Sequence, residues 1–207
     1  MRIIAAIAVV TLIAAIAQPA SAGKVEDCNQ IDDLDLRIGG CTALIRSGEY
    51  SGTMLGLIYS NRGLAYKGLG EYRRAIEDYD QALRINPGHA IAYNNRGFVY
   101  NVLAWDLYLE GRNAQALADV DRSLSDRPGN AATIDTRAHV LAALGRTREA
   151  LAEFERAMRI GGAERVRKYQ KALARHGYYD GAIDGAYGVG TRAALAACLD
   201  AGCRVLE

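Results

Sequence analysis

Four cysteines and three histidines are the side chains of this 207-residue sequence best suited to chemistry. The cysteines stand as one local pair near each end, Cys28 with Cys41 and Cys198 with Cys203. Thiols at such positions can hold a metal or form disulfides. A zinc site is poorly served, because there is no C-x-x-C and no His beside either pair. In an oxidising compartment an even count reads as disulfides. Four cysteines allow three pairings; the most local joins 28 to 41 and 198 to 203. The second bridge sets a geometric condition. Two Cα atoms five apart in an unbroken helix lie roughly 8–9 Å apart, beyond the reach of a disulfide. The helix must therefore break near Asp200-Ala201-Gly202, with Gly202 the residue to turn it.

The histidines, His89, His139 and His176, are far apart in sequence. No H-E-x-x-H, phosphate loop or dinucleotide fingerprint is present. A Ser/His/Asp or Cys/His site would need partners that the sequence does not assemble. Asp180, Asp184 and Gly185 echo part of a calcium loop, but Ala182 and Thr191 stand where an acid or amide and a bidentate Glu are required. Any two acids could converge for glycan cleavage, yet a helical array offers a shallow surface rather than a deep, dry pocket. The expectation is a non-enzyme with no cofactor and no metal.

Residues 1–22, MRIIAAIAVVTLIAAIAQPASA, place one Arg before an apolar run from Ile3 to Ala17 and end on the A-x-A site Ala20-Ser21-Ala22. This predicts a secretory signal peptide cleaved near Ala22; a retained membrane anchor is the alternative, though the run is short for a span. The expected product is periplasmic or otherwise secreted, without a membrane span. Loss of Arg2 leaves 24 basic against 24 acidic residues, a balance that argues against nucleic acid and against electrostatic capture by an anionic membrane.

The elements that must position any surface come from an internal repeat. Stretches 59–87, 93–128 and 134–162 share a frame: an aromatic or Ile, an Arg and a small residue three and four places on, a Tyr or Leu one turn later, a Gly, then an Ala in a second helix. Small residues (Gly63, Ala75, Ala82; Gly97, Ala116, Ser123; Ala138, Ala150, Ala157) sit where paired helices cross. Gly70, Gly111 and Gly145 take the turn, where a left-handed backbone costs Gly little, and Pro87 and Pro128 stop the second helix. Seven extra residues around NVLAWDL lengthen the first helix of the second unit by two turns. Arg62, Arg96 and Arg137 recur in the first helices, and Asp78/Asp80, Asp119/Asp121 and Glu153/Glu155 in the second, which predicts a repeated interhelical Arg–carboxylate pairing.

These residues resemble the tetratricopeptide repeat. The resemblance implies three units, 56–89, 90–130 and 131–162, within 54–162, stacked as an all-α superhelical array. Residues 23–53 read as a half-repeat whose second helix includes 35–51, with a Cys28–Cys41 bridge as its cap. The concave face of such an array is built from the first helices. Its expected peptide-binding residues are Ser60, Asn61, Leu64, Lys67, Asn94, Asn95, Phe98, Asn101, Asp135, Thr136 and His139. Asn suits an extended backbone, since each amide both donates and accepts; the other reading is that Asn61 and Asn95 bond neighbouring helices.

After a helix over 163–176 with Val166, Tyr169 and Leu173 on one face, the stretch 176–195, HGYYDGAIDGAYGVGTRAAL, carries two Asp-Gly turns. Thr191 is placed to cap a helix over 192–199. Gln170, Leu173, Gly177 to Gly181, Asp184-Gly185, Tyr187-Gly188, Thr191 and Ala194-Leu195 resemble the small three-helix peptidoglycan-binding domain of cell-wall enzymes. Residues 163–207 would form it, departing at Cys198-Leu199, where the family closes with an aromatic and Gln. The resemblance implies peptidoglycan contacts through Tyr178, Tyr179, Asp180, Asp184, Tyr187 and Thr191. The expected function is a non-catalytic adaptor that holds an unknown protein or peptide in its groove and peptidoglycan on its tail. The alternatives are a protein scaffold whose tail only caps the array, and a cell-wall hydrolase or regulator.

Overall fold

The computed structural model describes residues 20–205. The predicted signal peptide, residues 1–22, lies outside them, except that the backbone of Ala20–Ala22 opens the first helix. Among the described residues the chain is all-α, and none of their helices is long and apolar enough to cross a membrane. In chain order the helices are α1 (Ala20–Cys28), α2 (Leu34–Ser47), α3 (Gly52–Gly68), α4 (Tyr72–Ile85), α5 (Ala90–Leu109), α6 (Asn113–Asp126), α7 (Ala131–Ala143), α8 (Thr147–Arg175) and α9 (Val189–Asp200).

Antiparallel hairpins α3/α4, α5/α6 and α7/α8 stack in sequence. Their turns fall on Gly70, Gly111 and Gly145, with φ of 75°, 76° and 73°, a region where L side chains are strained. Their crossings need small residues: a Cβ on Gly63 would stand 3.0 Å from the Tyr79 ring and 3.2 Å from the Ala75 carbonyl oxygen. Ala75, Ala82, Ala116, Ser123, Ala138, Ala150 and Ala157 are all fully buried. Helix α4 ends at Ile85 and α6 at Asp126, each two residues before its Pro. The seven added residues make α5 the longest of the first helices.

At the N-terminal end, α1 and α2 form the short pair that covers α3. Gly40 lets them touch, since a Cβ there would meet the Cys28 nitrogen at 2.6 Å. Cys28 and Cys41 are bridged with Cα atoms 4.5 Å apart. At the other end, Gly162 breaks α8 with φ 64° and ψ −164°, and the second segment turns back onto the array. Cys198 and Cys203 are bridged across 5.1 Å between Cα atoms, after α9 stops at Asp200 and Gly202 takes φ 70°. The C-terminal module contributes two described helices, the end of α8 and α9, where three were expected; the Asp-Gly turns occupy the span between them. Phe154 and Met158 share one buried cluster with Tyr169, Leu173 and Leu195, so the module and the last hairpin have a common core.

The arginine pairing needs one correction. Arg62 binds Asp78 and Arg137 binds both Asp121 and Glu153, as the frame predicts. Arg96 likewise binds the Asp80 of the preceding hairpin, but within its own hairpin it binds Asp126 in place of Asp119 or Asp121, while Asp119 pairs with Arg122. The inserted two turns move Arg96 away from the Gly111 turn, and its partner on the antiparallel helix moves seven residues beyond Asp119 by the same distance.

Candidate functional site

Fewer of the expected groove residues are accessible than the sequence implied. Ser60, Thr136 and His139, expected to be exposed, are buried at 5%, 6% and 3%. Thr136 bonds its own helix at Ala132. The His139 ring meets Phe154 and Trp105 edge-on at 4.9 and 5.6 Å, with Nδ1 2.9 Å from the Asp135 carbonyl oxygen. The Asp135 side chain is only 13% exposed and takes an ion pair from Arg165 at 3.2 Å. The cause is α8: after Gly162 its second segment carries Arg165 back to α7. Burial lifts the Asp135 carboxyl above its ordinary range, against the pull of His139, Arg165 and Lys168.

The expected groove residues that stay accessible lie on α3 and α5. Asn94 and Phe98 are exposed; Asn61, Leu64, Lys67, Asn95 and Asn101 are half-buried. Lys67 donates to Asn95 Oδ1 at 2.8 Å and sits 5.3 Å over the Phe98 ring. Burial holds its ammonium below the usual lysine range. Asn61 donates to Asn29 Oδ1 at 3.1 Å. Two of the asparagines thus bond neighbouring segments. Exposed Leu57 and Ile91 lie one turn before Asn61 and Asn95 and give the groove an apolar margin; that helical spacing was the signal that could have found them.

In the C-terminal module a fully buried amide organises the turns. Gln170 Nε2 donates to Asp184 Oδ1 at 2.9 Å and to the Ala186 carbonyl at 3.1 Å; its Oε1 accepts from Gly185 N–H at 2.9 Å. The Gln170 bond and the Ala186 N–H hold the Asp184 carboxylate below its usual range. Gly185, at φ 79°, passes so close to α8 that a Cβ would stand 2.7 Å from the Ala163 carbonyl oxygen. Tyr179 donates to the Ala182 carbonyl at 2.9 Å. Tyr178 is half-buried and Asp180 exposed.

Thr191 does not cap α9. Gly188 is the N-cap, and Thr191 lies inside the first turn, 2% exposed, with its hydroxyl 3.3 Å from Gln170 Nε2. The helix begins early enough to turn this hydroxyl inward. Tyr187 and Arg192 reach across to Glu155, at 2.8 and 2.7 Å. Burial opposes charge on Glu155, but these bonds outweigh it and hold the carboxyl low; burial and Glu155 push the Tyr187 phenol up. Asp80 and Asp121 each receive an arginine from the following hairpin, and Glu155 receives one from the module, which docks as the next unit of the stack. Among the described residues no three His, Cys, Asp or Glu gather as a metal site.

Comparison with known proteins agrees with this division. Residues 57–89 match the family model of the tetratricopeptide repeat, and residues 162–198 match the model described as "Putative peptidoglycan binding domain". Among solved structures, MamA from residue 41 onward, from Desulfovibrio magneticus RS-1, is similar at 14% identity and TM-score 0.49, over 76% of this chain and 84% of that one. A tetratricopeptide repeat protein from Parabacteroides merdae is similar at 20% identity and TM-score 0.45, over 76% and 58%. The first tetratricopeptide domain of RPAP3, solved with an HSP90 peptide, is similar at 19% identity and TM-score 0.36, over 55% and 84%. The two disulfides and the peptidoglycan-binding match are consistent with an extracytoplasmic location.

Proposed function

We propose that the protein is a non-catalytic periplasmic adaptor, exported by its N-terminal leader, that holds a protein or peptide in its groove and rests on peptidoglycan through residues 163–207. The observation that carries the reading is the peptidoglycan-binding match over 162–198 in a module bonded to the repeat stack through Glu155. A tether of this kind transmits position, because Tyr187, Arg192 and the shared core leave no free linker between wall module and groove. The groove supplies what an extended peptide needs: an exposed aromatic at Phe98, an apolar margin at Leu57 and Ile91, and a backbone-pairing amide at Asn94.

The test has two readouts. The purified protein is incubated with labelled cell-wall sacculi and sedimented. Retention without release of soluble fragments fits an adaptor. Release of label identifies a hydrolase, and protein left in the supernatant leaves the scaffold with a capping tail.

A further inference from the structure

Among the turn side chains of the C-terminal module Tyr179, Asp184 and Tyr187 are engaged by the fold, and Asp180 is an exposed anion, so its free positive charge lies elsewhere. Between Ala163 and His176 the chain places Arg165, Arg167, Lys168, Lys171 and Arg175 against Glu164 alone, in a protein whose net charge is +1. Arg165 is engaged by Asp135, and Arg167 donates to the Asp184 carbonyl at 3.3 Å. Lys168, Lys171 and Arg175 are exposed, and none has a hydrogen-bond or ion-pair partner among the described residues. At helical spacing these three fall within an arc of about 60° and run about 10 Å along α8. Val166, Tyr169, Gln170 and Leu173 on the opposite face are buried in the module core, so the stripe cannot turn away from solvent. Beside it lies an open hollow of about 670 Å³, where Ala174 and Ile183 add apolar surface next to the three cations.

We propose that this stripe, rather than the Asp-Gly turns, receives the free carboxylates of peptidoglycan stem peptides. The proposal rests on the reading that the module attaches to the wall, and names the surface that does so. The chemistry is complementary on two counts: stem peptides present carboxylates to the cations and alanyl methyl groups to Ala174 and Ile183. Exposed cations each bind one carboxylate weakly. Three in a row suit a polymer that presents many carboxylates at once, where each further contact forms at high effective concentration.

The experiment compares the full chain with its K168Q/K171Q/R175Q variant by co-sedimentation with purified sacculi, from about 50 mM to about 500 mM salt. A second arm uses sacculi whose carboxyl groups have been converted to methylamides. A K168R/K171R variant controls for charge, and circular dichroism checks each fold. The neutralised variant should bind roughly tenfold more weakly at low salt and lose most of its salt dependence. Wild type on amidated sacculi should match it, and the arginine variant should match wild type. Equal retention of wild type and the neutralised variant, with the same salt dependence, overturns the stripe and leaves wall attachment standing. No retention of wild type overturns wall attachment and the stripe with it. Retention on phosphatidylglycerol vesicles but not on sacculi assigns the stripe to a membrane and also overturns the proposal.

Discussion

Arg96 grips Asp126 with two parallel bonds, Nε to Oδ2 at 2.8 Å and Nη2 to Oδ1 at 2.6 Å. The same guanidinium reaches Asp80 on the preceding hairpin at 2.5 Å. One side chain therefore closes its own helix pair and staples it to the previous unit. The Asp126 side chain is 4% exposed, so removal of the cation leaves a buried carboxylate unpaired. Arg96→Ala should lower unfolding free energy by about 3 kcal/mol, whereas Arg122→Ala, which removes an exposed partner of Asp119, should cost less than about 1 kcal/mol. Urea denaturation followed by circular dichroism measures both; equal effects would contradict the staple.

Glu155 repeats this arrangement at the junction with the C-terminal module. Glu155→Gln weakens the charge-assisted bonds from Arg192 and Tyr187 without opening a cavity. Amide exchange in α9 should quicken about two- to fivefold, with α3 to α5 unchanged. Uniform quickening along the chain would mean that the module is not a separately opening unit.

Asp135 predicts a pH dependence. Burial lifts its folded-state value above the unfolded value of about 3.9. The folded chain then holds the proton more tightly than the unfolded chain, and this contribution to stability is lost as pH rises through the window above about 4. Arg165, Lys168 and His139 face the group and limit the lift. Asp135→Asn removes the titration, so its stability relative to wild type should improve as pH rises above about 4. A relative loss across that range would reverse the sign and refute the burial argument.

The two bridges should differ in effect. In the chain-entropy account a loop closed by Cys28–Cys41 contributes about 3 kcal/mol and the shorter Cys198–Cys203 loop about 2 kcal/mol. C28S/C41S should therefore lower the melting temperature more than C198S/C203S. The opposite order would place the larger constraint in the tail.

Much of this architecture was legible because local chemistry dictates it. Gly70, Gly111 and Gly145 mark turns that only Gly enters cheaply, and Gly63 and Ala75 mark a crossing that larger side chains would block. The partner of Arg96 was less plain, since a two-turn insertion in one helix must be carried across to its antiparallel neighbour. Asp135 and His139 read as groove residues because nothing near them in sequence announces that α8, broken at Gly162, will return to cover α7. Thr191 looked like a cap from its neighbours alone; its inward turn depends on Gln170, 21 residues earlier. Those misses share one cause, contacts set by tertiary return rather than by local pattern.

Wall attachment is decided by a binding isotherm of the intact protein on purified sacculi, with soluble peptidoglycan fragments as competitor. Retention should be saturable and displaced by the fragments, with the sacculi left uncleaved. Protein that stays in the supernatant at every sacculus concentration would contradict it.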